Sequence, residues 1–82
     1  MHKVSLSGVL RAAANDQAEV QLAATTIREL LTSLVAQYPA MQKHIDEEGI
    51  AVSINGEIYR DEWSTPIPPN AEVFLLPRIP GG

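Results

Sequence analysis

Apolar and polar residues alternate from the start of the chain. Val4, Leu6 and Leu10 fall on one parity and Lys3, Ser5, Ser7 and Arg11 on the other, which predicts a half-buried strand, with Gly8 read as a bulge. Asn15-Asp16-Gln17 is a polar turn signal. Val20 and Leu22 then alternate with Glu19 and Gln21 as a second strand, so the chain opens with a hairpin.

The period changes next. Thr26 followed by Glu29 has the spacing of a capping box, and Ile27, Leu30, Leu31, Leu34, Val35 and Tyr38 recur at helical intervals. Pro39 disfavours helical geometry in the residue before it, so the helix is expected to stop near Tyr38. Met41 to Glu48 predicts a further short helical turn, ended by Gly49.

Alternation returns with Ile50, Val52 and Ile54, and Asn55-Gly56 is a strong tight-turn signal leading into a short strand at Ile58-Tyr59. Asp61 to Asn70 reads as a loop, and Glu72 to Leu76 as a last strand with Val73 and Leu75 inward and Phe74 and Leu76 outward. If the last strand pairs beside the first, the elements make an α+β domain: a mixed four- to five-stranded sheet packed on one main helix, the β-grasp arrangement.

Composition narrows the function classes. At 82 residues the chain is a single domain, and size scaling has it bury roughly 60–65% of its unfolded surface, leaving little volume for a deep catalytic pocket. Zero cysteines exclude disulfides, thiolate metal sites and a cysteine nucleophile. A net charge of −4 with only six basic residues opposes nucleic-acid binding. With no long apolar run and no signal-peptide pattern, no membrane association is expected and the cytoplasm is the expected location.

The remaining chemistry gathers at the C-terminus. In Leu76-Pro77-Arg78-Ile79-Pro80-Gly81-Gly82 the prolines favour extended backbone, so the segment from Pro77 is expected to leave the sheet rather than extend its ladder. Residues 1–76 are then the body and 77–82 a flexible tail of roughly 20 Å reach. Gly81 and Gly82 lack β-carbons and suit a narrow channel.

This tail, the Tyr38-Pro39 helix exit, the "SING" strand and turn at Ser53 to Gly56, and "EVFLLP" at Glu72 to Pro77 resemble the MoaD/ThiS family of ubiquitin-like sulfur carriers. In length and layout the chain is most similar to the small subunits of molybdopterin synthases. The resemblance implies a carrier, not an enzyme, with no catalytic residue, metal or cofactor of its own. A ubiquitin-activating-like adenylyltransferase would use ATP to adenylate Gly82, and a sulfur donor would convert it to a thiocarboxylate. The tail, with Gly81, Pro80, Ile79 and Arg78, would thread into a sulfur-accepting enzyme such as a molybdopterin synthase large subunit.

Two departures bear on the acceptor. Many members end Pro-Pro-Val-Ser/Ala-Gly-Gly where this chain has Pro77-Arg78-Ile79-Pro80-Gly81-Gly82, and many carry a Gly-Asp turn where it has Pro69-Asn70-Ala71. Carriers for thiamine, cysteine, tRNA thiolation or siderophore-like pathways would share this ending. A ubiquitin-like modifier joined to lysines, or a non-covalent interaction module, stands beside them.

Other residues have functional and ordinary readings. Phe74 and Leu76 make either a partner surface or plain exposed apolar area, and Arg78 either a recognition group or a solvated cation. His2 and His44 are expected to be surface histidines rather than ligands, and Asp46-Glu47-Glu48 and Asp61-Glu62 solvated acids rather than an acid–base pair. Trp63 is expected to pack the long loop onto the sheet.

Overall fold

The computed structural model describes residues 2–47 and 49–78. The elements are β1 (His2–Leu6), α1 (Val9–Ala13), β2 (Glu19–Leu22), α2 (Ile27–Gln37), α3 (Met41–Asp46), β3 (Ile50–Ile54), β4 (Glu57–Tyr59) and β5 (Val73–Pro77). They form one five-stranded sheet in the order β2-β1-β5-β3-β4. β5 lies between β1, to which it is parallel, and β3, to which it is antiparallel. This is the expected β-grasp: a mixed sheet covered on one face by a main helix, α2.

The start of the chain differs from the simple alternating strand. β1 ends at Leu6, and Gly8 is the N-cap of α1 with φ 60°, not a bulge within a strand. Leu10 shares the parity of Leu6 but also lies four residues on, so its burial suits a helix as well as a strand. The Ala12-Ala13-Ala14 run of strong helix formers tips the balance. Asn15 and Asp16 then take left-handed backbone at φ 56° and 64°, which Asn and Asp tolerate, and return the chain to β2. β1 and β2 pair antiparallel as expected, with α1 inserted in their connection.

α2 shows how a short chain satisfies a helix start. The N–H of Glu29 donates to the Thr26 hydroxyl at 3.3 Å, while the Glu29 carboxylate reaches the N–H and hydroxyl of Thr25 at 2.9 and 2.8 Å. The box is therefore displaced by one residue, closing on Thr25 rather than on the cap itself. The two earlier donors are met from the long loop: Ile27 N–H donates to Thr65 C=O at 3.1 Å and Arg28 N–H to Trp63 C=O at 2.8 Å. Ile67 N–H donates to Thr25 C=O and buries its side chain. The 61–70 loop is thus the cap of α2, and Trp63 packs against the hydrophobic core, lining a recess with Leu31 and Ile45 of the helices and Ile50 of β3.

Ile27, Leu30, Leu31 and Leu34 of α2 bury their side chains, and Val4, Leu6, Val20, Leu22, Val52, Ile54, Val73 and Leu75 meet them from the sheet. α2 ends at its C-cap Tyr38 as predicted from Pro39. α3 ends earlier than predicted, at Asp46, with Glu47 as C-cap. Gly49 donates its N–H to His44 C=O at 2.7 Å. Asn55 (φ 50°) and Gly56 (φ 89°) close the β3–β4 hairpin, and the Asn55 side chain accepts from Glu72 N–H at 2.9 Å, tying this turn to the approach of β5.

Candidate functional site

β5 crosses the middle of the sheet and runs toward the C-terminal tail, so its outward residues decide what surface flanks that tail. Val73 and Leu75 point into the core, as predicted. Phe74 is 39% exposed and Leu76 half-buried on the opposite face. Register places Phe74 opposite Ser5 of β1 and Ser53 of β3, Ser53 opposite Ile58 of β4, and Leu76 opposite Ala51.

Ile58, 54% exposed, therefore joins Phe74 in one row across the open face, with Ala51 and Leu76 beside it. Sequence reading placed Ile58 in a strand but not in the site. The signal was there: a two-residue Asn55-Gly56 turn pairs Ile54 with Glu57 and Ser53 with Ile58, which puts Ile58 on the face of Ser53. β3 is buried at every position, including Ala51 and Ser53, because these small side chains lie between strands that carry Phe74, Leu76 and Ile58.

The root of the tail also differs from expectation. β5 runs through Pro77, which lies opposite Ile50, and the N–H of Arg78 donates to Gly49 C=O at 2.8 Å. Antiparallel ladder bonds come from alternate residues, so Arg78's bond to Gly49 leaves the proline nitrogen in the position that faces away from β3. Pro77 is thus compatible with the ladder, and the chain stays bonded to β3 at least through Arg78.

Arg78 is not simply solvated. Its side chain is 26% exposed, its Nη1 lies 3.7 Å from Asp61 Oδ1, and it borders a recess of about 220 Å³ lined also by Leu31, Ile45, Ile50 and Trp63. Ile79, Pro80, Gly81 and Gly82 lie outside the described residues.

The acidic runs do local backbone work. The Glu62 carboxylate accepts from Arg60 N–H at 3.1 Å and Asp61 N–H at 3.2 Å. Backbone hydrogen bonds, from its own N–H first and then those of Asp61 and Arg60, hold it below the usual carboxylate range. Asp46 accepts from the Gln42 side chain at 2.8 Å.

His2 is a buried residue rather than a surface one: one ring nitrogen, Nε2, bonds Ala24 C=O at 3.0 Å, while Nδ1 has no partner among the described residues. Among the described residues no group of three His, Cys, Asp or Glu is placed to hold a metal. Nor is any described helix long and apolar enough to cross a membrane.

The fold defines a ubiquitin-like class: a small β-grasp body whose central strand carries an exposed apolar residue, Phe74, on the face away from the core. The chain belongs to the ThiS family, whose model matches residues 4–82, a family of sulfur carriers and ubiquitin-like modifiers. It is similar to small archaeal modifier protein 1 of Methanosarcina acetivorans, with 30% identity over 98% of this chain and 94% of that one and a TM-score of 0.75. Its fold is also that of CysO in the BexX/CysO complex of Amycolatopsis orientalis, with 21% identity, 98% of each chain covered and a TM-score of 0.79. A putative molybdopterin converting factor subunit 1 from Pyrococcus furiosus shares the fold at 19% identity, with 94% and 95% covered and a TM-score of 0.67. No curated protein matches the chain significantly by sequence.

Proposed function

We propose that the chain is a cytoplasmic sulfur carrier, not itself an enzyme, and that Gly82 is the residue transformed. A ubiquitin-activating-like adenylyltransferase binds ATP, the Gly82 carboxylate attacks the α-phosphate, and pyrophosphate leaves. A donor of sulfur at the sulfide level then displaces AMP, leaving a terminal thiocarboxylate. That group is a sulfur nucleophile in a chain with no cysteine.

The body, in this reading, presents residues 77–82, and the Phe74–Ile58 row docks on the partner enzymes. The observation that carries it is the placement of β5: the central strand shows Phe74 on an open apolar face and runs directly into the segment ending Gly81-Gly82.

The sulfur-accepting enzyme we propose is a molybdopterin synthase large subunit. Support comes from the "EVFLLP" strand followed by the Gly-Gly ending and from the fold shared with the P. furiosus converting factor. A second reading, a protein modifier whose Gly82 forms isopeptide bonds with lysines, is favoured by the 30% identity to an archaeal modifier protein. Both pass through the acyl-adenylate and part only afterwards.

The test is pyrophosphate–ATP exchange with the adenylyltransferase of the same host. Exchange is expected with the full chain and is expected to vanish on deleting Gly82, because the carboxylate retreats by about 3.5 Å from the reacting phosphate. Undiminished exchange with the shortened chain would contradict the assignment of Gly82.

A further inference from the structure

The root of the tail is held from three sides. Its backbone is bound through Arg78 N–H to Gly49 C=O at 2.8 Å, and its side chain lies 3.7 Å from Asp61 beside the Trp63 recess. On the third side the Pro77 ring abuts Gly8, where an added β-carbon would stand 3.1 Å from Pro77 Cγ. Gly49 sits in a tight place here: its φ is not left-handed, but a β-carbon would stand 3.3 Å from His44 C=O, close enough that the neighbouring backbone would have to shift slightly.

We propose that Arg78 anchors the tail, with Asp61 and Gly49 as the residues that position it, so that four residues rather than six reach into a partner enzyme. Pro77 has no N–H, so residues 77 and 78 are held by the Arg78–Gly49 bond together with the seat of the Arg78 side chain beside Asp61; weakening either loosens both residues. Four residues span at most about 14 Å and six about 21 Å. The anchor therefore sets a depth: the reacting atoms of a partner lie within about 14 Å of the tail root.

A defined launch point also reduces the directions open to the chain that follows. The fraction of molecules ready to enter a narrow channel rises, and apparent affinity rises with that fraction. Asp61 acts through Arg78 and touches no reacting atom.

Two measurements decide it. The first, amide hydrogen exchange by NMR, needs no partner. The Arg78 amide is expected to exchange at least about tenfold more slowly than in an unstructured peptide, the protection of a hydrogen bond that opens only locally. Asp61→Asn and Arg78→Ala are each expected to speed exchange at position 78 several-fold, with the Leu75 amide unchanged and Asp61→Glu restoring protection. Exchange at the free-chain rate in the unmodified protein would overturn the anchor, as would variants that move position 78 no more than Lys3→Gln does.

The second measurement rests on the carrier reading and couples anchor to tail length. Deleting Ile79 is expected to lower adenylation by about a hundredfold, and Arg78→Ala in the same chain to restore at least part of it, because released residues make up the lost length. Additive losses in the double variant would overturn the depth limit. Absence of adenylation in the unmodified chain would count against the carrier reading, while hydrogen exchange would still decide the anchor.

Discussion

The two faces of β5 differ by one residue step and do different work. Val73 and Leu75 are 1% and 0% exposed and join the hydrophobic core, while Phe74, 39% exposed, looks outward on the face of Ile58. The inner row belongs to one closed hydrophobic cluster that includes residues of nearly every element. Among the described residues no element covers the outer row. Stability is therefore concentrated on one side of the strand, and the proposed function places association on the other, so substitutions one position apart should separate the two.

The largest stability effect is expected at Leu75. Leu75→Ala empties a fully buried position in the hydrophobic cluster and is expected to cost about 2–5 kcal/mol in urea unfolding. For a domain whose whole stability is on the order of 5–15 kcal/mol, that is a large share. A loss near that of a surface substitution would mean that the inner row is not the core of the fold.

The outer row gives the converse. Phe74→Ser combined with Ile58→Ser is expected to change stability by about 1 kcal/mol or less per site, while raising the KM for the chain in the adenylation assay roughly tenfold. The kcat at saturating carrier is expected to hold, because the proposed role of this row is docking and not reaction. An unchanged KM would remove the open face from the docking surface.

The smallest effect lies at the start of the helix that covers the inner face. The N–H of Thr25, and then its hydroxyl, hold the Glu29 carboxyl below its ordinary value of 4.5. A folded pKa below the unfolded one adds stability above the unfolded value, and that stability is lost as pH falls from there through the folded pKa. Melting from about pH 6 down to about pH 3 should show a shallower acid limb in Glu29→Gln than in the unmodified chain. Identical acid limbs would mean that the Thr25 bonds do not persist in solution.

How much of this was legible in the sequence follows the same division. The inner row reads directly, because alternation at Val4 and Leu6, at Ile50, Val52 and Ile54, and at Val73 and Leu75 reports burial, and α2 announces itself through Thr26, its apolar period and Pro39. α1 was hidden because Leu6 and Leu10 satisfy strand parity and helical spacing alike, leaving the Ala12-Ala13-Ala14 run as the local sign of helix and the left-handed φ at Gly8 visible only in the structure. The extension of β5 through Pro77 was hidden because a missing N–H disrupts a ladder only on the side that bonds, and one strand alone does not show which neighbour it faces. Arg78's seat beside Asp61 depends on the 61–70 loop folding back to cap α2, a tertiary contact with no local signature.

The most direct test of the central claim is intact mass spectrometry of the chain purified from its own host under neutral, non-reducing conditions. The account predicts a fraction in which one terminal oxygen is replaced by sulfur, localised to Gly82 by fragmentation. An unmodified carboxylate throughout, with Gly82 found joined to lysines of other proteins, would contradict the sulfur carrier and make the chain a modifier.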